Sequence, residues 1–507
     1  MKRGELDEVG DLVELARDLY GDDPAASEEL DAYSRRLQEP LRLAVAGVVK
    51  AGKSTLLNAM IGEQIAPTDA GECTRTVTWY RHSRTAQITV HRSDGGVERM
   101  PVRRDGSHLV LDIGNLTADE VEWIDVAWPA ENLRSTVLID TPGIASLSVE
   151  TSAKSTRFLT PENTHSAADA IIYLLRHIHA ADVKFLQAFR DTAAGASETV
   201  NAVAVLSRAD EIGSGRIDSL LSAARIAERY RQDGELRALT LGVIPVAGLV
   251  AEGARTLRES EFIAFRSLAA LDRTVRERLL VSVDRFTRPT NETALSVAVR
   301  QDLLRRFGIF GVRLGAALVR AGADSSSELA DRLVQQSGLI DLQRFVNQQF
   351  RSRTVALKAR GVLQGLDALL RAKPRPGTAP IVRGMEHVTA STHDLAELSL
   401  LADLRTSVLS LTPDDLVAAE RLIGGNGTDA LTRLGLAEGA PRVEVRERID
   451  GLLGHWRNLS ESPLSMRATT DLCRVVIRSI EGIASEATGP RRSSLSPGDV
   501  VLAGGPA

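Results

Sequence analysis

Apolar residues recur every three or four positions from residue 5 to residue 38. Val9, Leu12, Val13, Ala16 and Leu19 fall on one face, Asp22-Asp23-Pro24 interrupts, and Leu30, Tyr33 and Leu37 line a second face. That spacing predicts two short amphipathic helices. At Leu41 the pattern changes to short, mainly apolar runs: Leu41–Ala46, interrupted only by Arg42, then Thr136–Ile139, Ala202–Leu206 and Val243–Val246. Such runs, alternating with helical stretches up to about Val250, are what a doubly wound, mostly parallel sheet requires, because its strands are buried on both faces. Further strand-like runs, Gln87–His91, His108–Asp112 and Val121–Trp128, surround the turn Ser93-Asp94-Gly95-Gly96 and read as an insertion. Its six arginines (Arg81, Arg84, Arg92, Arg99, Arg103, Arg104) fit a solvated edge face, with a lipid or partner surface as the alternative.

From Leu257 the pattern is helical almost to the end. Phe265, Leu268, Leu271, Val275, Leu279, Val283 and Phe286 form one stripe, which Arg288-Pro289 stops. Val445, Ile449, Leu452, Trp456 and Leu459 form another, and Leu472, Val476, Ile480 and Ile483 a third. One-sided stripes with charged flanks belong to a helical bundle. Turns are expected at Lys373–Gly377 and Gly424–Gly427, and a disordered tail from Gly489. The expected architecture is an α/β P-loop domain over residues 41–255, joined to a mainly α-helical bundle at 256–488. Residues 1–40 supply helices to that bundle and 489–507 form the tail.

With 507 residues, 43% of them hydrophobic, the chain can bury two or three cores. A net charge of −5 argues against a nucleic-acid partner, which calls for a basic face. Cys73 and Cys473 offer neither a disulfide framework nor a metal spacing, which fits the cytoplasm. The acidic start Met1–Glu8 lacks the apolar core of a signal peptide. The longest apolar stretch, Phe307–Val319, contains Arg313 and is too short to span a bilayer, so any membrane contact is expected to be peripheral.

Residues 47–54 read Gly47-Val48-Val49-Lys50-Ala51-Gly52-Lys53-Ser54, a complete G-x-x-x-x-G-K-[ST] phosphate loop. It follows a buried strand and opens the helical stretch Thr55–Met60, the setting in which the motif binds a nucleoside triphosphate. Gly47 and Gly52 let the backbone curl, so that N–H groups of the loop and of the helix start, from Val49 through Ala51 to Thr55, can surround the phosphates. Lys53 would reach the β- and γ-phosphates and Ser54 would hold Mg²⁺. The strand at Thr136 ends in Asp140-Thr141-Pro142-Gly143, a D-x-x-G in which Asp140 holds Mg²⁺ through water and the Gly143 N–H meets the γ-phosphate. Between them, Gly71-Glu72-Cys73-Thr74-Arg75-Thr76 can present a threonine to the metal, Thr74 first and Thr76 second. Ser207-Arg208-Ala209-Asp210 stands where GTPases carry [NT]-K-x-D. Asp210 can accept both N1–H and N2–H of guanine, whereas adenine offers an acceptor at N1. Arg208 can cover the base in place of lysine, and Ser207 is expected to make a weaker tie to the phosphate loop than asparagine. Ala247, after the last strand, is a candidate backbone donor to guanine O6.

These motifs, the Thr74-Arg75 pair and the long helical half resemble bacterial dynamin-like GTPases, more narrowly the isoniazid-inducible dynamin-like proteins of mycobacteria. Phrases outside the general motifs carry the likeness too: Ala66–Ala70, Ser207–Gly213 and Arg306–Gly311. The resemblance implies GTP hydrolysis with Mg²⁺ and self-association through the GTPase domain, or pairing with a related dynamin-like protein. It also implies peripheral work at a membrane lipid surface, on the inner face of the cell membrane. Two further readings stay open: a switch GTPase acting on a protein partner without lipid, and a nucleotide-gated scaffold with little turnover.

The position after D-T-P-G is Ile144, so no glutamine orients water there. Dynamin-like proteins use the middle of the phosphate loop, which here reads Val49-Lys50. Only seven of the 62 basic residues are lysines, and two of them stand in this loop. Lys50 is therefore a candidate charge stabiliser in place of a monovalent cation, beside the Thr74 backbone as a water-positioning group. A loop lysine facing solvent is the alternative. Arg305–Leu314 mixes aromatics with arginines and reads as a glycine-notched packed helix more readily than as an interfacial one. The basic turn Lys373–Arg383 is a second, equally weak lipid-facing candidate.

Overall fold

The computed structural model describes residues 2–68, 76–106, 108–142, 168–192, 200–406, 411–462 and 466–488. The expected disordered tail, Cys73, Thr74 and Gly143 lie outside these residues. Two compact units are formed, Met1–Val408 and Leu409–Ala507.

The first unit is organised by a nine-stranded sheet in the order β11-β10-β9-β1-β8-β2-β7-β3-β4. Inside it β1 (Leu41–Gly47) pairs in parallel with β8 (Thr136–Asp140), the central strand, and with β9 (Ala170–Leu175). β10 (Ala202–Ser207) and β11 (Val243–Val246) continue the parallel array. Every residue of β9 and β10 is buried, as unbroken apolar runs require. On the other side β2 (Val77–His82) runs antiparallel to β8, with Thr78 opposite Asp140. β7 (Val121–Trp128), β3 (Gln87–Arg92) and β4 (Val97–Met100) complete the sheet. The expected insertion is thus mostly an extension of the main sheet, and a small ribbon of β5 (Arg103–Asp105) and β6 (His108–Val110) stands apart. Of its six arginines, Arg81 pairs with Asp125 at 2.6 Å, Arg92 with Asp94 at 2.8 Å, Arg103 with Asp112 at 3.5 Å and Arg104 with Glu63 at 3.0 Å, so much of that positive charge is internally matched.

The N-terminal helices are α1 (Lys2–Tyr20) and α2 (Pro24–Gln38), with the Asp23 side chain capping α2 at the Ala26 N–H (3.1 Å). Their apolar faces pack on the helices Thr354–Ala372 and Ala379–Ser391. Two buried cations, unforeseen from the stripe, secure the junction. Arg36 Nε donates to Asp169 Oδ1 at 2.7 Å, tying α2 to the start of β9. Lys358 Nζ donates to the carbonyls of Arg36 and Glu39 at the end of α2, and burial pulls its pKa down to about 8. Glycines make the close approach possible: a Cβ at Gly365 would overlap the Tyr33 ring, and one at Gly384 the Leu12 side chain. Gly365→Ala should therefore cost about 1–3 kcal/mol, the usual penalty for overpacking. A lowered urea midpoint by circular dichroism is the expected reading, and an unchanged midpoint would disprove the tight fit.

Beyond β11 the expected single stripe from Phe265 to Phe286 is broken into three helices, Glu259–Ala269, Arg273–Leu279 and Val283–Thr287. The breaks are local chemistry: Asp272 and Ser282 accept the N–H groups of Thr274 and Arg285 and restart the chain as N-caps. The helix Val297–Arg320 follows, then Ser326–Gln336, Leu339–Phe345, a π-helix at Val346–Arg351, and Thr354–Ala372. Phe307, Phe310 and Val312 are buried, so the Arg305–Leu314 segment is packed, as its glycine notches suggested, but it is two helical pieces that meet at a kink at Gly308. Lys373 and Arg375 of the basic turn pair with Asp23 and Asp22.

The second unit contains the helices Pro413–Leu422, Ala430–Leu434, Arg442–Glu461 and Arg467–Thr488. The last two pack together through the expected stripes, with Ile449, Leu452, Trp456, Leu472, Val476, Ile480 and Ile483 all buried. No described helix is long and apolar enough to cross a membrane.

Candidate nucleotide site

The phosphate loop leaves the C-terminal end of β1, where ligands gather in open parallel sheets. Gly47 still pairs with Leu174 of β9 and has φ 147°, and a Cβ there would collide with the Leu174 carbonyl oxygen. Gly52 caps α3 (Lys53–Ile61) at φ 95° with open space around it, so its backbone conformation, not its size, demands glycine. Between them Lys50 adopts φ 62°, and the Ala51 N–H returns to Val48 O at 3.2 Å. The N–H groups of Lys53, Ser54 and Thr55 open α3 and have no acceptor within it.

Lys53 Nζ lies 3.3 Å from Gly47 O and 3.4 Å from Val48 O, folded back on its own loop. Burial lowers its pKa and the Asp140 carboxylate opposes that shift. Ser54 Oγ donates to Asp140 Oδ2 at 3.0 Å. Asp140 Oδ1 is buried with no hydrogen bond among the described residues, and burial raises the pKa of this carboxyl to about 6. A hydroxyl and a carboxylate in contact, with one oxygen left unmatched, is a donor set that suits a hydrated hard cation such as Mg²⁺. Thr76, the second-choice threonine, is described: its buried hydroxyl also makes no hydrogen bond, and it stands where the chain enters β2, at the Asp140 end of β8. Thr141 Oγ1 is spent on Val45 O at 2.9 Å.

Beside the loop lies a cavity of about 170 Å³ lined by Ala51, Gly52 and Thr55 on one side and by Ser207, Arg208 and Asp210 on another. The structure thus brings the phosphate loop and the base motif, more than 150 residues apart in sequence, to one space. Asp210 is buried in a short turn of helix, Ala209–Glu211, and burial raises its pKa to about 6. Arg208, at φ 51°, sends Nη2 to Lys50 O (2.9 Å) and Nη1 to Glu211 Oε1 (2.7 Å). Ser207 Oγ donates to Leu175 O at 3.1 Å. The tie from base motif to phosphate loop is therefore made by Arg208 and not by Ser207, which corrects the expectation for Ser207. Ala247 needs correction as well. Its N–H donates to Ser337 O at 2.9 Å, so it cannot serve guanine O6. Gly248 and Leu249, the first turn of the helix Gly248–Arg255, line the cavity with N–H groups that have no acceptor within the helix. Lys50 and Val49 are exposed, and the Lys50 ammonium has no partner among the described residues.

Two features had no signal in the sequence. Glu211 braces the site by pairing with both Arg208 and Arg176, each at 2.7 Å. Gly308 breaks the helix Val297–Arg320 with φ 64°, ψ 172°, and a Cβ there would lie 3.7 Å from Asp210 Oδ2 and 3.6 Å from Leu249 Cδ2. Gly308 belongs to a phrase picked out by resemblance, yet only folding puts it against the base carboxylate.

Residues 43–191 match the family model described as "Dynamin family". The chain is 40% identical over 463 residues to the isoniazid-induced protein IniC of Mycobacterium tuberculosis, covering 91% of this chain and 94% of that protein. A bacterial dynamin-like protein of Nostoc punctiforme is 42% identical over 69 residues, 13% of this chain and 10% of its own length. A solved chain from a study of "an oligomerised bacterial dynamin pair" is similar at 14% identity, spanning 96% of this chain and 79% of that one with a TM-score of 0.31. The family match and a 40% identical relative that covers 91% of the chain carry one conclusion, that this chain belongs to the dynamin family of GTPases.

Proposed function

We propose that the chain hydrolyses GTP and couples the reaction to peripheral membrane association or remodelling, with residues 41–255 as the catalytic domain and 256–488 as the helical part that responds. The observation that carries the chemistry is the contact of Ser54 with Asp140, whose second oxygen is unmatched, beside Lys53 and one cavity away from Asp210. Lys53 leaves its loop carbonyls to meet the β- and γ-phosphates, and the N–H groups at the start of α3 take the remaining phosphate oxygens. Asp210 accepts the N1–H and N2–H of guanine, Arg208 covers the base, and the Gly248 or Leu249 N–H meets O6. Ser54, Thr74 and Asp140 would hold Mg²⁺, which when bound would neutralise charge on the β- and γ-phosphates. The Thr74 backbone and the Gly143 N–H position the attacking water and the γ-phosphoryl group. Water oxygen bonds to the γ-phosphorus as the bond to the β–γ bridging oxygen breaks, and the water proton ends on phosphate or solvent. Membership of the dynamin family supports the membrane half of the reading, and with it self-association through the GTPase domain or with a related dynamin-like protein at the cytoplasmic face. Phosphate release from GTP, measured with and without liposomes beside flotation with a GTP analogue, tests both halves. Turnover without flotation leaves a GTPase acting on a protein partner, and flotation without turnover leaves a scaffold.

Lys50 is the proposed stabiliser of charge in the transition state. Arg208 pins its carbonyl while its ammonium has no partner among the described residues, which leaves the side chain able to swing over the phosphates. Lys50→Ala should lower kcat roughly 10²-fold with GTP affinity nearly unchanged, and the parent should be indifferent to K⁺ against Na⁺. A parent rate that climbs steeply with K⁺, or a variant defective only in binding, removes Lys50 from the chemistry.

A further inference from the structure

A second cavity, about 180 Å³, opens away from the nucleotide site between β8, the end of the helix Gly248–Arg255 and the π-helix Val346–Arg351. Two guanidinium groups line it, Arg255 and Arg351, together with the neutral amides Asn132, Gln343 and Asn347 and the apolar wall Leu138. No carboxylate lines the cavity, and none pairs with either arginine among the described residues. Arg255 reaches only Gln343 Oε1, at 3.4 Å. Arg351 donates from Nε to Thr136 Oγ1 at 2.8 Å and from Nη1 to Asn347 Oδ1 at 2.9 Å, which fixes its planar fork against β8 and the π-turn. Burial lowers the Arg351 pKa, the mark of a cation short of counter-charge.

Many other arginines of this unit are matched either to carboxylates, as with Arg36 and Asp169, Arg81 and Asp125, or Arg306 and Glu261, or to backbone carbonyls, as with Arg300 and Arg313. A pair of cations facing one cavity with only amides around them is an arrangement that an anion completes, and guanidinium forks with amide donors suit tetrahedral phosphate oxygens. The π-turn is a costly local geometry that recurs at functional sites, and here it carries Asn347 and Arg351. We infer that this cavity binds a phosphomonoester dianion, clamped between Arg255 and Arg351, as either a soluble phosphorylated ligand or a lipid headgroup.

The test uses the full chain saturated with GDP and Mg²⁺, titrated calorimetrically with glycerol 3-phosphate and floated on phosphatidylcholine vesicles with and without phosphatidic acid. One equivalent of glycerol 3-phosphate should bind, tenfold or more weakly in Arg255→Gln and in Arg351→Lys. Neither residue lines the nucleotide cavity, so that loss belongs to this site. Arg255 is exposed, and replacing it leaves the fold untouched if Arg351 variants prove unstable. Binding of glycerol 3-phosphate with no added flotation on phosphatidic acid identifies a soluble ligand, whereas phosphatidic acid-dependent flotation lost in Arg255→Gln identifies a headgroup. Absence of both, or binding at the parent level in both variants, overturns the inference.

Discussion

Lys53→Ala should reduce GTP affinity and turnover by at least about 10²-fold while leaving helical content unchanged. In the nucleotide-free chain the ammonium rests against two neutral carbonyls in a desolvated loop, an arrangement that burial disfavours. Its removal therefore costs the empty protein little, and the nucleotide-free melting temperature should stay put or rise slightly. The loss appears only with ligand. A nucleotide at 100 times its Kd raises stability by about 2.7 kcal/mol, and that increment should vanish in the variant. Thermal melts with and without GTP, beside phosphate release, read both effects. Hydrolysis at the parent rate would show that Gly47–Ser54 is not the active site.

Asp210→Asn should weaken the preference for GTP over ATP by roughly 10²-fold, about 3 kcal/mol, because one acceptor facing guanine becomes a donor facing a donor. Xanthosine triphosphate should gain at the expense of GTP. The pH dependence has a definite sign. Burial raises the Asp210 pKa to about 6, and only the ionised carboxylate can accept both guanine hydrogens. Affinity for Mg²⁺-free GDP, which leaves Asp140 out of the comparison, should therefore be full above pH 7 and fall about tenfold per unit below pH 6. In Asp210→Asn this fall should disappear. An unchanged preference for GTP would remove Asp210 from the base site.

Much of this molecule is written in local pattern. The phosphate loop is legible because its glycines, lysine and serine must follow a buried strand and open a helix, and all of those requirements lie within one short stretch. Asp140 and Asp210 are legible for the same reason: Asp140 ends, and Asp210 closely follows, an apolar run that can only be an interior strand. The amphipathic helices at both ends of the chain follow from spacing alone, since a one-sided stripe has to be covered. Dynamin membership was visible too, in phrases that exceed the general GTPase motifs.

What escaped depends on who meets whom. Ala247 looked free to donate to a base until packing brought Ser337 to its N–H, and Ser207 looked like the tie to the loop until the left-handed turn at Arg208 sent the guanidinium there instead. The stripe from Phe265 to Phe286 reads as one helix by spacing, yet Asp272 and Ser282 capture backbone N–H groups and divide it. Buried Arg36 and Lys358 look like surface charges in sequence, because a cation is tolerated inside only when a particular carboxylate or pair of carbonyls arrives from far along the chain. Gly308 against Asp210, and Arg255 and Arg351 on one cavity, are likewise products of tertiary structure: nothing in the neighbouring residues encodes a meeting across 98 or 96 positions of chain. Sequence determined the elements and the nucleotide motifs through near-neighbour physics, and the assignment of each free donor, acceptor and charge waited for the fold to supply its partner.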